Sequence, residues 1–175
     1  GNHLGSGAQA GAERIASAID RAYESTGARA RLCLENMAGA GTEIGTTFAE
    51  LRMIMDLAQC GPTLGVCFDT CHAYGAGYDV STARGLRSVI DEAARTVGID
   101  RIVVVHANDS KGQLGGRKDR HEHIGDGAIG LAGFRNILAC AELADLPFIL
   151  ETPVDSPEDQ VRDLATIRSC APQDE

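Results

Sequence analysis

Aromatic residues are scarce in this 175-residue chain, which has no tryptophan, four phenylalanines and three tyrosines. Proteins that hold nucleic-acid bases by stacking need several aromatic side chains, so this composition argues against a stacking platform. Basic residues are also in the minority, because 16 Lys and Arg stand against 25 Asp and Glu, for a formal net charge of −9. This charge argues against a protein that coats nucleic acid generally and against a basic helix lying on a membrane.

Long apolar runs are missing as well. No window approaches the ~18 consecutive apolar residues of a membrane span, and the first residues lack the charged-then-apolar layout of a signal peptide. These absences predict a cytoplasmic protein without a membrane partner. The six cysteines include no Cys-x-x-Cys pair, so we expect reduced core residues rather than thiolate zinc ligands or disulfides. With 43% apolar residues, we expect one domain over residues 1–175.

Strand and helix patterns alternate along the chain. Four short apolar runs lack strict alternation, as strands buried on both faces of a parallel sheet do; they cover residues 31–35, 64–69, 102–106 and 147–151. Helix-period segments cover residues 8–25, 47–59, 82–97 and 131–141, and a last helix opens at Ser156 and Pro157. This order predicts an α/β fold, which is either an open doubly wound sheet or part of a (β/α)-barrel.

Three local details accompany these elements. The first helix is expected to bury Ile15, Ala18, Ile19 and Ala22, and the fourth to bury Leu131, Phe134, Leu138 and Ala141. Thr47 and Glu50 have the spacing of a capping box. Residues 107–129 form the longest loop candidate, which we interpret as a mobile lid or binding loop.

Each predicted strand ends in a residue that can bind a metal ion or move a proton: Glu35, Asp69, His106 and Glu151. The carboxyl ends of parallel strands face one crevice, so these four side chains should converge. A lone acid or histidine at a strand end is more often a helix cap or a satisfied polar group, but four of four favours a metal site.

A second set lies in the loops above the strand ends, at His72, Asp119 and His121. Residues 119 and 121 point to the same side if the stretch is extended. Histidines mixed with carboxylates favour zinc among the divalent ions. Closely spaced divalent ions suit phosphodiester hydrolysis, because they acidify water and stabilise both the phosphate and the leaving oxygen.

A basic island interrupts this acidic chain between residues 110 and 120. It contains Lys111, Arg117, Lys118 and Arg120 against a single Asp119. On its own it would be interpreted as a solvated loop, but beside the ligand sets it predicts sequence-independent contacts to phosphates.

Two long segments resemble the signature motifs of the endonuclease IV family of apurinic/apyrimidinic (AP) endonucleases. They are Gly65-Val-Cys-Phe-Asp-Thr-Cys-His-Ala-Tyr-Gly-Ala-Gly77 and the stretch from His106-Ala-Asn-Asp-Ser-Lys to Asp119-Arg-His-Glu-His-Ile-Gly-Asp-Gly127. Leu34-Glu-Asn36 and Leu150-Glu-Thr152 match shorter family segments. The resemblance covers nearly the whole chain; Ala107, where the family usually has a larger aliphatic residue, is a small departure.

The resemblance implies a TIM (β/α)8 barrel of the xylose isomerase-like type and a base-excision-repair enzyme with three zinc ions. Such an enzyme cleaves double-stranded DNA on the 5′ side of an abasic site, leaves a 3′-hydroxyl, and acts as a monomer in a bacterial-type cytoplasm. By position, Glu35 matches the carboxylate that bridges two zincs, and Asp69, His106 and Glu151 match the other protein ligands of one of them. Glu35 and Glu151 are the expected catalytic carboxylates. His72, Asp119 and His121 match the ligands of the third zinc, and Lys111, Arg117 and Arg120 are the expected DNA contacts.

The match is incomplete at its beginning. The family's first zinc is also held by two histidines from earlier strands, one of them in a His-Pro segment, and His3 matches the histidine that follows this segment. His3 is therefore not predicted as a ligand. A barrel typically needs about 250 residues, so we expect four strand–helix units and one preceding helix, the C-terminal half of a barrel, with two zinc sites largely retained and activity impaired.

Two alternatives stay open on the sequence alone. A sugar isomerase or epimerase of similar barrel fold also uses a Glu/Asp/His/Glu set, around a single metal ion. The set His72, Asp119 and His121 and the basic loop discriminate against it, because a one-metal isomerase has no need of them. A degenerate binding module is the other alternative, and the presence of every ligand in the region covered opposes it.

Overall fold

A computed structural model describes residues 1–172 of the chain. Its helices are α1 (Ala8–Thr26), α2 (Phe48–Leu57), α3 (Thr70–Ala76), α4 (Ala83–Thr96), α5 (Gly130–Leu138) and α6 (Pro157–Cys170). Its strands are β1 (Cys33–Glu35), β2 (Gly65–Asp69), β3 (Ile102–His106), β4 (Asp109–Ser110), β5 (His121–Glu122) and β6 (Phe148–Ile149). No helix in this part of the chain combines the length and the apolarity needed to cross a membrane.

The main sheet is parallel and has the strand order β1-β2-β3-β6, which is also their order along the chain. A doubly wound sheet reverses direction at a switch point, whereas a barrel adds each new strand on the same side. The described strands show no reversal, so the sheet has the winding of a barrel. Asp69 pairs with His106 and His106 pairs with Ile149, so the carboxyl ends of three strands lie level with one another.

The helices lie side by side and pack in sequence, α1 on α2, α2 on α4, α4 on α5 and α5 on α6. They share a core with the sheet, in which Phe68 of β2 stacks on Phe48 of α2 with ring centroids 6.3 Å apart. Phe134 of α5 is fully buried in the same core. This one layer of helices over one sheet is the repeating unit of a (β/α)-barrel and confirms the predicted fold class.

Several predicted boundaries and faces were wrong. Only two residues of the run 147–151 pair as a strand. In α5, Gly133, Phe134 and Ile137 form the buried face of the helix, so Leu131 is partly exposed rather than buried. Likewise α1 buries Gly11, Ala12, Ala16 and Ile19, whereas Ala18 and Ala22 are exposed. Small alanines contribute little to a hydrophobic pattern, so they mark the buried side of a helix poorly.

The helix starts follow the expected chemistry with one difference. The Thr47 hydroxyl accepts a hydrogen bond from the backbone N–H of Glu50 and so caps α2, but the Glu50 carboxylate accepts from Gly45 and Thr46 rather than from Thr47. At α6 the full capping box is present between Ser156 and Asp159. These contacts satisfy amide groups that have no partner within the first helical turn.

The stretch 107–129, which we expected to be a loop, contains an antiparallel hairpin of β4 and β5. Its base is fixed by Asp109, a fully buried carboxylate that accepts backbone hydrogen bonds at 2.8–3.3 Å from Ser110, Gly125, Gly127, Ile129 and Gly130. An ionised carboxylate that accepts several N–H groups is held firmly. The hairpin therefore stands on an anchored base over the strand ends.

Candidate metal centre

The four residues that end the main strands form one cluster. Glu35, Asp69, His106 and Glu151 each offer a ligand atom, and these atoms all lie within 4.8 Å of one another. His106 is central, because its Nδ1 lies 3.1 Å from Glu151 Oε2, 3.3 Å from Glu35 Oε1 and 4.0 Å from Asp69 Oδ2. The structure thus brings together all four predicted side chains, although Glu151 lies two residues beyond the paired part of β6.

The second predicted set also converges. The Oδ1 atom of Asp119 lies 3.2 Å from His72 Nε2 and 3.3 Å from His121 Nε2. His72 is not in a loop, as the sequence suggested, but in α3, where the Asp69 carboxylate caps the helix by accepting from the His72 N–H at 2.7 Å. His121 begins β5, so the hairpin lowers Asp119 and His121 onto α3.

The spacing of the donor atoms fits metal ions. His72 Nε2, His106 Nδ1 and His121 Nε2 are buried and have no hydrogen-bond partner, although carboxylate oxygens lie only 3.1–3.3 Å away. Ligands about 2.0–2.1 Å from a tetrahedral zinc ion are themselves separated by about 3.3 Å. Donor atoms that face a common point, rather than one another, are what a coordination shell requires. That these residues are the ligands stays a prediction.

Backbone carbonyls orient two of the imidazoles. His72 Nδ1 lies 2.9 Å from the Asn36 carbonyl oxygen, and His121 Nδ1 lies 2.9 Å from the Glu151 carbonyl oxygen. With Nδ1–H donating to a carbonyl, the Nε2 lone pair is left for a metal ion. The Asn36 carbonyl follows Glu35 directly, and the other carbonyl is that of Glu151 itself. Two histidines of the second cluster are therefore hydrogen-bonded to the backbone that carries ligands of the first.

The two clusters carry a strong excess of negative charge. Burial disfavours protonation of His72, but the neighbouring carboxylates of Glu35, Asp69 and Asp119 outweigh it and raise the pKa of His72 to about 9. Burial raises the pKa of Asp69, and burial of Glu35 is outweighed by His72 and His106, which lower the pKa of Glu35. Four carboxylates beside three imidazoles call for bound cations, since cations neutralise buried anions without consuming protons.

Two buried asparagines support the centre, and the sequence analysis missed both as site residues. Asn36 is paired with the backbone of Asp69, donating to its carbonyl and accepting from its N–H. Asn108 donates to the Asp69 carboxylate and accepts from the Glu151 N–H. Their only signal in the sequence is their position: Asn36 directly follows Glu35, and Asn108 lies two residues after His106.

The basic island faces solvent beside the centre. Lys111, Lys118 and Arg120 line a surface cavity of about 550 Å³ together with residues 112, 113 and 116. Lys111 lies 3.8 Å from Glu122, and Arg117 has a left-handed backbone with φ of 52°. Arg117 is not among the residues that line this cavity, so the structure brings together only part of the predicted DNA-contact set, and the DNA contacts themselves stay predictions.

His123 follows the ligand set but has a different partner. Its Nδ1 lies 2.8 Å from Asp163 Oδ2, and Asp163 is a buried residue of α6 that is only 1% exposed. This pair ties the hairpin to the last helix. Removing the imidazole would leave a buried carboxylate without its strongest partner.

We therefore expect His123→Ala to lower the free energy of unfolding by about 1–3 kcal/mol, because the pair is partly exposed on the His123 side. Urea titration followed by circular dichroism measures this loss. Metal content should be unchanged, since His123 is in neither cluster and its imidazole is paired with Asp163; a lost ion would instead assign metal binding to His123, Asp155 and Asp159. A variant as stable as the parent would show that the pair contributes nothing.

Sequentially wound parallel strands under one layer of helices, with ligand clusters at their carboxyl ends, define a barrel-type α/β protein with a candidate metal centre. Residues 1–170 match the model of the family described as xylose isomerase-like TIM barrel. The chain belongs to this family.

Individual relatives agree with the resemblance. A probable endonuclease 4 from Methanoculleus marisnigri is 46% identical over 172 residues, which cover 98% of this chain and 61% of the relative. A probable endonuclease 4 from Aquifex aeolicus is 48% identical over 73% of this chain and 45% of its own length. The crystal structure of endonuclease IV from Thermus thermophilus superimposes with a TM-score of 0.79 at 41% identity, covering 91% of this chain and 57% of that one.

These matches confirm the predicted resemblance to the endonuclease IV family. The chain spans about 60% of the length of the curated relatives that it matches along nearly its whole extent. For this chain, activity, substrate and metal content are therefore proposals.

Proposed function

We propose that the protein is a zinc-dependent AP endonuclease that hydrolyses the phosphodiester bond 5′ to an abasic site in double-stranded DNA. The observation that carries the proposal is the pair of adjacent ligand clusters, whose buried imidazole nitrogens have no other partner. A basic cavity next to these clusters and relatives named probable endonuclease 4 support the same conclusion.

Two zinc positions fit the described residues. Glu35, Asp69, His106 and Glu151 would hold one ion, and His72, Asp119 and His121 would hold another. Zinc bound there supplies positive charge to the phosphate oxygens and acidifies water at neutral pH. The family resemblance implies a third ion, for which Glu35 is the ligand in this chain.

The chain's own carboxylates would orient the nucleophile and accept its proton. Glu35 Oε1 lies 3.2 Å from His72 Nδ1 and 3.3 Å from His106 Nδ1, so this carboxylate faces both clusters. Glu151 is half-exposed at the edge of the centre, where a phosphate can reach it. A carboxylate within hydrogen-bond reach of water at the reacting phosphate can hold that water in line for attack.

The basic loop would hold the DNA backbone while the clusters act on one phosphate. Replacing Lys111, Arg117 and Arg120 one at a time by alanine should weaken DNA binding similarly for every sequence. Each replacement should reduce the slope of log K against log salt by about one unit, because one phosphate contact is lost. Fluorescence anisotropy at several salt concentrations measures the slope; an unchanged slope for all three variants would remove the loop from the interface.

The isomerase alternative does not explain the second cluster. A single-metal sugar isomerase needs the strand-end set alone, whereas here Asp119 and His121 are brought onto α3 by a hairpin with an anchored base. The basic cavity of this chain is likewise unexplained by an isomerase, because a neutral sugar carries no negative charge for Lys111, Lys118 and Arg120 to bind.

We infer that residues 1–175 alone cut abasic DNA slowly. Within residues 1–172 the two other histidines, His3 and His123, lie outside both clusters: His3 Nδ1 accepts hydrogen bonds from Gly5 and Gly7, and His123 Nδ1 is paired with Asp163. The ion implied beside Glu35 would then lack histidine ligands from this chain, and losing one electrostatic stabiliser costs about 10²–10³-fold in rate. Comparing this chain with the longer probable endonuclease 4 from Methanoculleus marisnigri under equal zinc tests the inference, and equal rates would contradict it.

Incision of a defined duplex tests the function itself. The protein is incubated with 5′-labelled duplex DNA that carries one tetrahydrofuran abasic analogue, with and without chelator. We expect a single cut on the 5′ side whose product a DNA polymerase extends, loss of cutting with chelator, and recovery with added zinc. No chelator-sensitive incision, or isomerisation of sugars in its place, would overturn the proposal.

A further inference from the structure

One fully buried side chain, that of Asn108, contacts two residues of the strand-end cluster, Asp69 and Glu151. Asn108 lies two residues beyond His106, and its Nδ2 donates to Asp69 Oδ2 at 2.6 Å. Its Oδ1 accepts from the backbone N–H of Glu151 at 2.8 Å. A single amide therefore connects the ligand at the end of β2 with the ligand that follows β6, across β3.

The amide is itself rigidly held. The Asn108 N–H donates to Thr70 Oγ1 at 2.9 Å, and the Thr70 hydroxyl donates back to the Asn108 carbonyl at 2.7 Å. All four polar groups of Asn108 thus have a partner, so neither its backbone nor its rotamer is free to move. Such a fully satisfied buried network specifies one geometry.

The contact fixes the orientation of the Asp69 carboxylate. Asp69 Oδ1 accepts from the His72 N–H, and Oδ2 accepts from Asn108, so the carboxylate cannot rotate. Oδ2 lies 4.0 Å from His106 Nδ1 and 3.9 Å from His121 Nε2, between the two clusters. Burial opposes the charge on Asp69, and the Asn108 donor favours that charged form.

The same residue also sets the position of Glu151. The pairing of β3 with β6 extends only to Ile149, so the Asn108 side chain continues the ladder beyond the last paired residue. Only a short amide can do both tasks, because it carries a donor for a carboxylate and an acceptor for an N–H. Leucine offers neither group, and glutamine is one methylene too long for a fully buried position.

We propose that Asn108 is a positioning residue that presets Asp69 and Glu151 for metal binding and thereby sets the zinc affinity of the strand-end site. The inference rests on the proposed function, since it takes the strand-end cluster to be a metal site. Partners that hold the ligands of a metal site typically change its affinity by about 10–100-fold when they are removed.

Zinc titration of Asn108→Ala tests the proposal. Zinc affinity is measured by competition with a chromophoric chelator, and folding is monitored by circular dichroism in excess chelator. We expect zinc at the strand-end site to bind about 10–100-fold more weakly, while the ion at His72, Asp119 and His121 is retained. Asn136→Ala, which removes a partly exposed amide of α5 that belongs to neither cluster, should leave both affinities unchanged.

Asn108→Ser provides a milder second variant, because a hydroxyl can still donate toward Asp69 but cannot span to the Glu151 N–H. We expect its zinc affinity to lie between those of the parent and Asn108→Ala. Parental zinc affinity in folded Asn108→Ala, or failure of both variants to fold without zinc, would overturn the proposal, because either result indicates a purely structural asparagine. If the parent itself binds no zinc, the proposed function fails instead, so the two failures are distinguishable.

Discussion

Glu35→Gln should reduce incision of abasic DNA by about 10²–10³-fold, the largest single-residue effect expected in this centre. The amide has nearly the same size as the carboxylate, so packing at the end of β1 is preserved. The replacement removes the negative charge of a carboxylate whose Oε1 lies within 3.3 Å of the Nδ1 atoms of both His72 and His106. Both clusters therefore lose an anionic neighbour at once.

The kinetic signature separates chemistry from binding. Single-turnover incision at saturating enzyme should fall, whereas the affinity for abasic DNA should change little, since Glu35 is not in the basic cavity. Zinc content is measured in parallel by metal analysis. Glu24→Gln, an exposed change of the same kind on α1, is the matched control. Incision within about threefold of the parental rate would remove Glu35 from the reaction.

The strand-end cluster could be predicted from the sequence because its geometry follows from topology. Parallel strands place their carboxyl ends at one edge, so Glu35, Asp69 and His106 had to converge once the four apolar runs were assigned as strands. The choice between a barrel and a doubly wound sheet could not be made from the residues alone. It depends on the direction in which the strands are added, and no local pattern encodes that direction.

Other features escaped prediction because their causes are distant in sequence. Asn108 contacts Asp69 and Glu151, which are 39 and 43 residues away, and His123 contacts Asp163, which is 40 residues away. The hairpin was missed since each of its strands pairs over only two residues, too few for a period-2 pattern. Helix α3 has seven residues and is fixed largely by the Asp69 cap, which sequence reasoning assigned only to metal binding.

This double use of Asp69 explains why the two ligand sets are adjacent. Its carboxylate caps α3, and the cap places His72 one turn later, with Nδ1 only 3.8 Å from Asp69 Oδ1. A strand-end ligand that also starts the following helix brings the first residues of that helix to the same edge. The second cluster then needs only the hairpin to supply Asp119 and His121.

Asp119→Ala and His121→Ala should each lower the zinc content by one ion per chain and reduce incision by about 10²-fold. Asp119 Oδ1 lies within 3.3 Å of both imidazole nitrogens of its cluster, so its loss leaves only two ligands, too few for a stable zinc site. Plasma emission spectrometry after dialysis gives the stoichiometry. The strand-end ion should be retained in both variants, because none of its four carboxylate and imidazole ligands is altered.

The double variant Asp119→Ala/His121→Ala makes the assignment sharper. If the two residues hold one ion, the first replacement already removes it, so the double variant should lose no more zinc and little more activity than either single variant. His123→Ala is the control on the same hairpin: it should lower stability through Asp163 and keep its full zinc content. Additive losses in the double variant, or unchanged zinc content in both single variants, would contradict a shared ion and leave Asp119 and His121 as ordinary polar residues of a hairpin.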